Sequence, residues 1–375
     1  MNYVFVSNYY NHHQSPFSEA MSRLTKEYRF IETAPMDDER KALGWGGDKK
    51  PDFVMQSFGS DGAKKECKEI INSADVVIWG SCPYSMITPR LKSNKLTFCY
   101  SERVLKKGSD PINYLGHLLK YRIGYGGRQD NHYLLCASAY AAGDYARLGM
   151  FKGKAYKWGY FPVIDANTDA SDILRSKKPN SILWVARLIE LKHPAATVMA
   201  AAAANKQGLD FELCFIGSGP EENKLRELIK ENDLESRVKL LGQMSPEQVR
   251  QHMRISQIFL FTSDKQEGWG AVVNEAMSEG CAVIASDAAG SVPYLIPQGS
   301  GRGLTFRSGD QQSLNEHLIR LLRDEALCGK FGAAAIEAIR NDWNAEIAAK
   351  RFIDLSERLA AGKDTPFESG PCSRA

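Results

Sequence analysis

The chain has 375 residues, 43% hydrophobic and 25% charged, with a formal net charge of only +3. That length exceeds one ordinary core and suits two domains. No apolar run approaches the ~18 residues of a membrane-spanning helix, and no nucleic-acid partner is expected from so balanced a charge. The eight cysteines stand singly with no C-x-x-C pair, which predicts reduced thiols in a cytosolic protein and neither a disulfide framework nor a structural zinc site.

The opening MNYVFVSNYY has no basic segment and no cleavage pattern, so no signal peptide is expected. Within it, YVFV reads as a short buried strand, and the polar SNYYNHHQ as the loop after it. Ser15-Pro16 reads as the cap and first-turn proline of a helix reaching about Lys26. ADVVIWG at 74–80, KLTFCY at 95–100 and HYLLCAS at 132–138 are further continuous apolar strands. Such strands, alternating with helices, predict parallel β-α-β layers. After a loop at 165–180 the theme restarts. SILWVAR, DFELCFIG, VKLLG, QIFLFTS and CAVIASD read as strands. HPAATVMAAAAANKQ, PEENKLRELIKEN, PEQVRQHMRIS and AVVNEAMSE, the last closed by Gly280, read as helices. Residues 341–361 are helical again, anchored by Trp343. The polar GKDTPFESGPCSRA is expected to be disordered.

The segment QEGWGAVVNEAMSEG at 266–280 places Glu267 and Glu275 eight residues apart, in the loop after an apolar strand and in the helix that follows. Gly268 and Gly270 let backbone approach a ligand closely. The free N–H groups at the start of that helix form an anion site suited to a phosphate. Val272, Val273 and Ala276 are expected on the sheet side, leaving Glu275 on an exposed flank. There a carboxylate can accept hydrogen bonds from a vicinal diol such as a ribose. Glu267 can do the same for a second sugar, so the outline is that of a nucleotide sugar. VARLIELKHP puts Arg187 and Lys192 five residues apart at another strand end, where a diphosphate would meet a guanidinium fork and a point charge. FIGSGP adds Gly217 and Gly219 after a third strand. It does not meet G-x-G-x-x-G, because Glu222 stands at the last position.

These motifs, in this order, resemble the group 1 (family 4) retaining glycosyltransferases, from V-x-R-L-x-x-x-K-H at 185–193 through F-I-G-S-G-P, V-K-L-L-G and E-x7-E to C-A-V-I-A-S-D-A-A-G. The resemblance covers roughly residues 180–300. It implies the α/β GT-B fold: two facing Rossmann-like doubly wound domains with a cleft between them. The expected division is an acceptor domain at 1–165, a nucleotide-sugar domain at 166–340, a helix at 341–361 packing back on the first domain, and the tail at 362–375. It further implies that Arg187 and Lys192 hold the diphosphate, Glu275 the ribose and Glu267 the transferred sugar. Backbone at Gly268, Trp269, Gly270 and Ala271 would meet phosphate and sugar, and Gly242, Gln243 and Met244 the base. An N-domain histidine near the donor sugar is also implied, for which His12 and His13 are the candidates. Asn11, Glu102 and Arg103 are candidates on the acceptor side, Glu102 and Arg103 having a surface ion pair as the alternative reading. His117 and His132 read as structural. Ala186, where the family commonly has glycine, and Tyr294, where glutamate is frequent, depart from the pattern.

The expected activity is retaining transfer from a nucleoside-diphosphate sugar without a metal or cofactor, since no D-x-D occurs. The acceptor would be a saccharide or a polyprenyl-linked saccharide, in capsule, O-antigen or similar polysaccharide synthesis. A nucleotide-sugar 2-epimerase and a non-catalytic nucleotide-sugar-binding protein are the competing classes. Charge is uneven: residues 1–165 carry 23 Lys and Arg against 17 Asp and Glu, a net of +6, and the remainder a net of −3. The excess concentrates in Arg90, Lys92, Lys95, Arg103, Lys106 and Lys107. That run reads either as a solvated face or as a surface meeting an anionic partner, and the second reading predicts a peripheral protein on the cytoplasmic face, touching an anionic membrane or a polyprenyl-diphosphate saccharide.

Overall fold

The computed structural model describes residues 1–38, 50–106, 111–124, 130–165 and 167–375. They form two compact units, Met1–Val163 with Trp343–Ala375, and Ile164–Asp342. Lys107, one of the cations singled out above, lies outside the described residues.

In the first unit β1 (Tyr3–Ser7), β2 (Tyr28–Glu32), β3 (Val54–Gln56), β4 (Val76–Trp79), β5 (Thr97–Ser101), β6 (His132–Cys136) and β7 (Ala155–Lys157) pair in the order β3-β2-β1-β4-β5-β6-β7. Every pairing is parallel. β1 is buried along its whole length, as a central strand covered on both faces must be. The order reverses between β1 and β4, where loops at the carboxyl ends diverge and ligands bind in such sheets. The first helix runs Ser15–Leu24, with Gln14 rather than Ser15 in the cap position and Pro16 in the first turn.

Two features of this unit correct the sequence reading. Arg90 belongs to no basic surface: it is 1% exposed. Its guanidinium donates to Thr97 Oγ1 and to the carbonyls of Ile71, Ala74, Asp75 and Leu96 at 2.6–3.0 Å. All five donors of a buried arginine are thereby used. The terminal segment is ordered, not disordered. It runs antiparallel to β7, with the Lys157 amide donating to Ser373 O at 2.7 Å and the Cys372 amide to Lys157 O at 2.8 Å. Arg351 donates to Ser369 O, and Arg374 pairs with Asp364. An otherwise open sheet edge is thus covered. The preceding helix, Ala345–Ala360, is capped by Asn344. Its Phe352 packs on Tyr3, Phe17, Phe98 and Trp158.

In the second unit β8 (Lys178–Val185), β9 (Glu212–Ile216), β10 (Val238–Leu240), β11 (Ser256–Phe261), β12 (Ala282–Ser286) and β13 (Leu304–Phe306) pair in the order β10-β9-β8-β11-β12-β13, again all parallel. The switch point falls between β8 and β11. Both strands present their carboxyl ends to the loops that carry Arg187, Lys192 and Glu267. The stretch at 165–180, expected to be loop, holds a helix at Ala170–Arg175 capped by Asp169. Six residues are too few to show helical periodicity.

Candidate active site

The chain leaves β8 through Ala186 and Arg187 into a short 3-10 turn, Glu190–Lys192, which His193 ends at a φ of +48°. Arg187 is exposed. Its turn is braced from below by the loop after β9. Leu188 N–H donates to Ser218 O at 2.9 Å, and Glu221 N–H to Leu188 O at 3.0 Å. Gly217 is obligatory here. Its φ is +133°, and a Cβ would lie 1.9 Å from Ala186 O. A Cβ on Gly219 would lie 2.3 Å from Leu188 O. These glycines therefore have a packing reason of their own: they let two main chains close against each other. The Gly217 amide in turn donates to Gly242 O at 2.8 Å, which ties in the next loop. There Gln243 is exposed and Met244 half-buried.

Lys192 and Glu267, 75 residues apart in sequence, form an ion pair. Their side chains are only 15% and 16% exposed. The ammonium also lies 6.0 Å from the Phe261 ring centroid. A parallel link joins His193 Nε2 to Asp264 Oδ2 at 3.2 Å. Below them Trp184 Nε1–H donates to Thr262 Oγ1 at 3.0 Å, and that hydroxyl donates to Lys192 O at 2.6 Å. Asp264 N–H donates to Leu191 O at 2.9 Å. The motif reading had found Lys192 and Glu267 but not Trp184, Thr262, His193 or Asp264. These four act on the loops through hydrogen bonds that no spacing in the sequence announces.

Gly270, with φ at +88°, caps the helix Ala271–Ser278. A Cβ there would meet Phe261 Cζ at 2.7 Å, so the loop lies directly on the end of β11. The helix opens with amides that have no intrahelical acceptor. Trp269 was expected to offer a ligand its main chain, and its side chain is turned away into the protein. Its indole is fully buried and donates to Asn274 Oδ1 at 2.8 Å, so only its main chain can serve a ligand. Glu275 departs from the sequence reading. It is half-buried rather than on an open flank, while Val272 is partly exposed. Burial pushes the Glu275 carboxyl up, and Arg250 opposes the rise.

In the first unit His12 and His13 follow β1. The His13 ring stacks on Tyr160, with centroids 4.9 Å apart, and meets His12 at 3.8 Å. Burial, then the neighbouring His12, lowers the His13 pKa to about 3. Asn11 is buried, and its Oδ1 accepts from His13 N–H at 3.0 Å, so it shapes this turn. Glu102 and Arg103 do not pair with each other. Glu102 binds Lys106 and accepts from Tyr160 Oη at 2.7 Å. Arg103 meets Asp144 at 3.4 Å and lies 4.8 Å from the Tyr140 ring centroid. Lys95 donates to Asn72 O at 2.6 Å, and Lys92 is exposed. Of the described members of the basic run, Arg90 is buried and Arg103 and Lys106 are paired with carboxylates, while Lys92 and Lys95 are exposed. His132 is structural, accepting from Trp79 Nε1–H at 3.1 Å. Among the described residues no helix is long and apolar enough to cross a membrane.

Two doubly wound α/β units with these strand-end loops define the GT-B class. Solved structures agree: the chain superposes on HepE of Anabaena, solved in complex with UDP, with a TM-score of 0.69 at 16% identity, over 96% of this chain and 100% of that one. Residues 165–338 match the family described as glycosyl transferases group 1, and that span carries most of the motifs in the order given above. The amylovoran biosynthesis glycosyltransferase AmsK of Erwinia amylovora is 34% identical over 188 residues, 49% of this chain and 46% of that protein. The N-acetyl-alpha-D-glucosaminyl L-malate synthase of Bacillus anthracis is 28% identical over 177 residues, 47% of this chain and 45% of that protein. In both, the similarity spans less than half of the relative's own length.

Proposed function

We propose that this chain is a retaining, metal-independent hexosyltransferase. It would move a sugar from a UDP- or GDP-sugar to a saccharide or lipid-linked acceptor in surface-polysaccharide synthesis. The observation that carries this reading is the Lys192–Glu267 pair, formed at neighbouring strand ends next to a helix amino terminus. Lys192 and Arg187 take the diphosphate, with the first amides of the Ala271–Ser278 helix. Glu275 accepts from ribose hydroxyls and Glu267 from hydroxyls of the transferred sugar. The bond from the sugar's anomeric carbon to the β-phosphate oxygen breaks, and its electron pair leaves with the diphosphate. The acceptor oxygen bonds to that carbon on the same face, and its proton passes to the departing phosphate. Charge grows on the leaving group in the transition state, so cations fixed beforehand lower the barrier. The UDP bound by HepE and the polysaccharide named for AmsK support the donor and pathway classes. The test is a thermal-shift screen of nucleoside-diphosphate sugars in EDTA. A ligand at 100 times its Kd adds about 2.7 kcal/mol. Product analysis with and without saccharide acceptors follows. Epimer formed from donor alone would favour an isomerase instead.

A further inference from the structure

Three consecutive residues after β8 are each tied to the loop after β11. Leu191 O accepts from Asp264 N–H at 2.9 Å. Lys192 O accepts from the Thr262 hydroxyl at 2.6 Å. His193 Nε2 meets Asp264 Oδ2 at 3.2 Å. The Thr262 link is the buried one. Thr262 is 4% exposed and Trp184, which donates to the same oxygen at 3.0 Å, is 2% exposed. Because the indole N–H can only donate, it takes a lone pair of Thr262 Oγ1 and leaves the hydroxyl proton for the Lys192 carbonyl. The hydroxyl orientation is therefore set by the β8 core. The carbonyl it holds belongs to the residue whose ammonium pairs with Glu267.

We propose that Thr262 is a positioning residue for the transfer reaction, its hydroxyl fixing the Lys192 main chain so that the ammonium meets the donor diphosphate. This rests on the reading of Lys192 given above. The ground state needs the shape of the threonine side chain and an acceptor for the Trp184 N–H, whereas positioning also needs its proton. Valine keeps the shape and loses both proton and acceptor; serine keeps both and loses a methyl group. Displacement of a reacting group by about 1 Å costs on the order of 100-fold in rate.

The experiment compares wild type, Thr262→Val, Thr262→Ser and Lys192→Ala. It measures binding of UDP and of inorganic diphosphate by calorimetry, turnover with the donor found in the screen, and thermal melting. The expected result is a roughly 10- to 100-fold loss of turnover in Thr262→Val with weaker diphosphate binding, and Thr262→Ser close to wild type in both. Thr262→Val close to wild type in binding and turnover would overturn the proposal. So would Thr262→Ser impaired as severely as Thr262→Val, since that marks a packing role. If Lys192→Ala binds UDP and turns over like wild type, the reading of Lys192 itself fails. If Lys192→Ala is impaired and Thr262→Val is not, only this inference fails.

Discussion

Replacing Glu267 by Gln should tighten the binding of UDP while impairing transfer. In the ligand-free protein the Glu267 carboxylate neutralises the Lys192 ammonium, and both side chains are mostly buried. An incoming diphosphate has to displace that carboxylate or bear its repulsion. Two unit charges about 4 Å apart interact by about 4 kcal/mol at an effective dielectric of 20 and about 1 kcal/mol in water. Glutamine keeps a weaker hydrogen bond to the ammonium, and desolvation offsets part of the Coulomb energy. A net gain of about 1 kcal/mol, or roughly fivefold in Kd, is the expected size. The free Glu267→Gln protein should also melt earlier, because it leaves a half-buried ammonium under-compensated. Calorimetric titration of UDP into wild type and Glu267→Gln at two salt concentrations reads the difference directly, since part of the effect is screened. Equal or weaker UDP binding by Glu267→Gln would refute the competition argument. The carboxylate would then hold Lys192 in place for the diphosphate rather than compete with it.

Lys192→Ala and Arg187→Ala should each lower kcat by about 100- to 1000-fold with the fold intact, since each removes a cation from the leaving group; steady-state kinetics and melting curves check both. Glu275→Ala should raise KM for the donor more than it lowers kcat, because a ribose contact is made equally in ground and transition states. Gly217→Ala should lower both Tm and turnover, because its Cβ would collide with Ala186 O and shift the Arg187 turn. The protein should lose stability as pH falls from about 6.5 towards 3. Burial, then the charge of Lys154, lowers the His132 pKa to about 3, so the unfolded chain binds a proton there that the folded one refuses. The slope is about 1.4 kcal/mol per pH unit for each such proton. Denaturant melts between pH 7 and pH 4 would show it, and His132→Gln should flatten it.

The central strands were legible because continuous apolar runs such as VVIW and SQIFLF have few other folded uses. The donor loops were legible because charged and glycine residues there interrupt strand ends at fixed offsets. What escaped had physical reasons. β3, β7, β10 and β13 have three residues each, and of these only β10 was read from the sequence. Arg90 reads as surface charge because the five acceptors that bury it come from two stretches, 71–75 and 96–97, that only the fold brings around it. The terminal segment is polar and short of apolar residues, yet main-chain bonds to β7 and the clamp on Arg351 order it.

The most direct test of the account is transfer itself. The chain is incubated in EDTA with the nucleoside-diphosphate sugar that stabilises it most and a saccharide acceptor, and the anomeric configuration of the product is read by NMR. The account predicts a glycoside with the donor's own configuration, formed by Lys192→Ala about 100- to 1000-fold more slowly than by wild type. An inverted product, an absolute requirement for a divalent cation, or equal transfer by Lys192→Ala would contradict it.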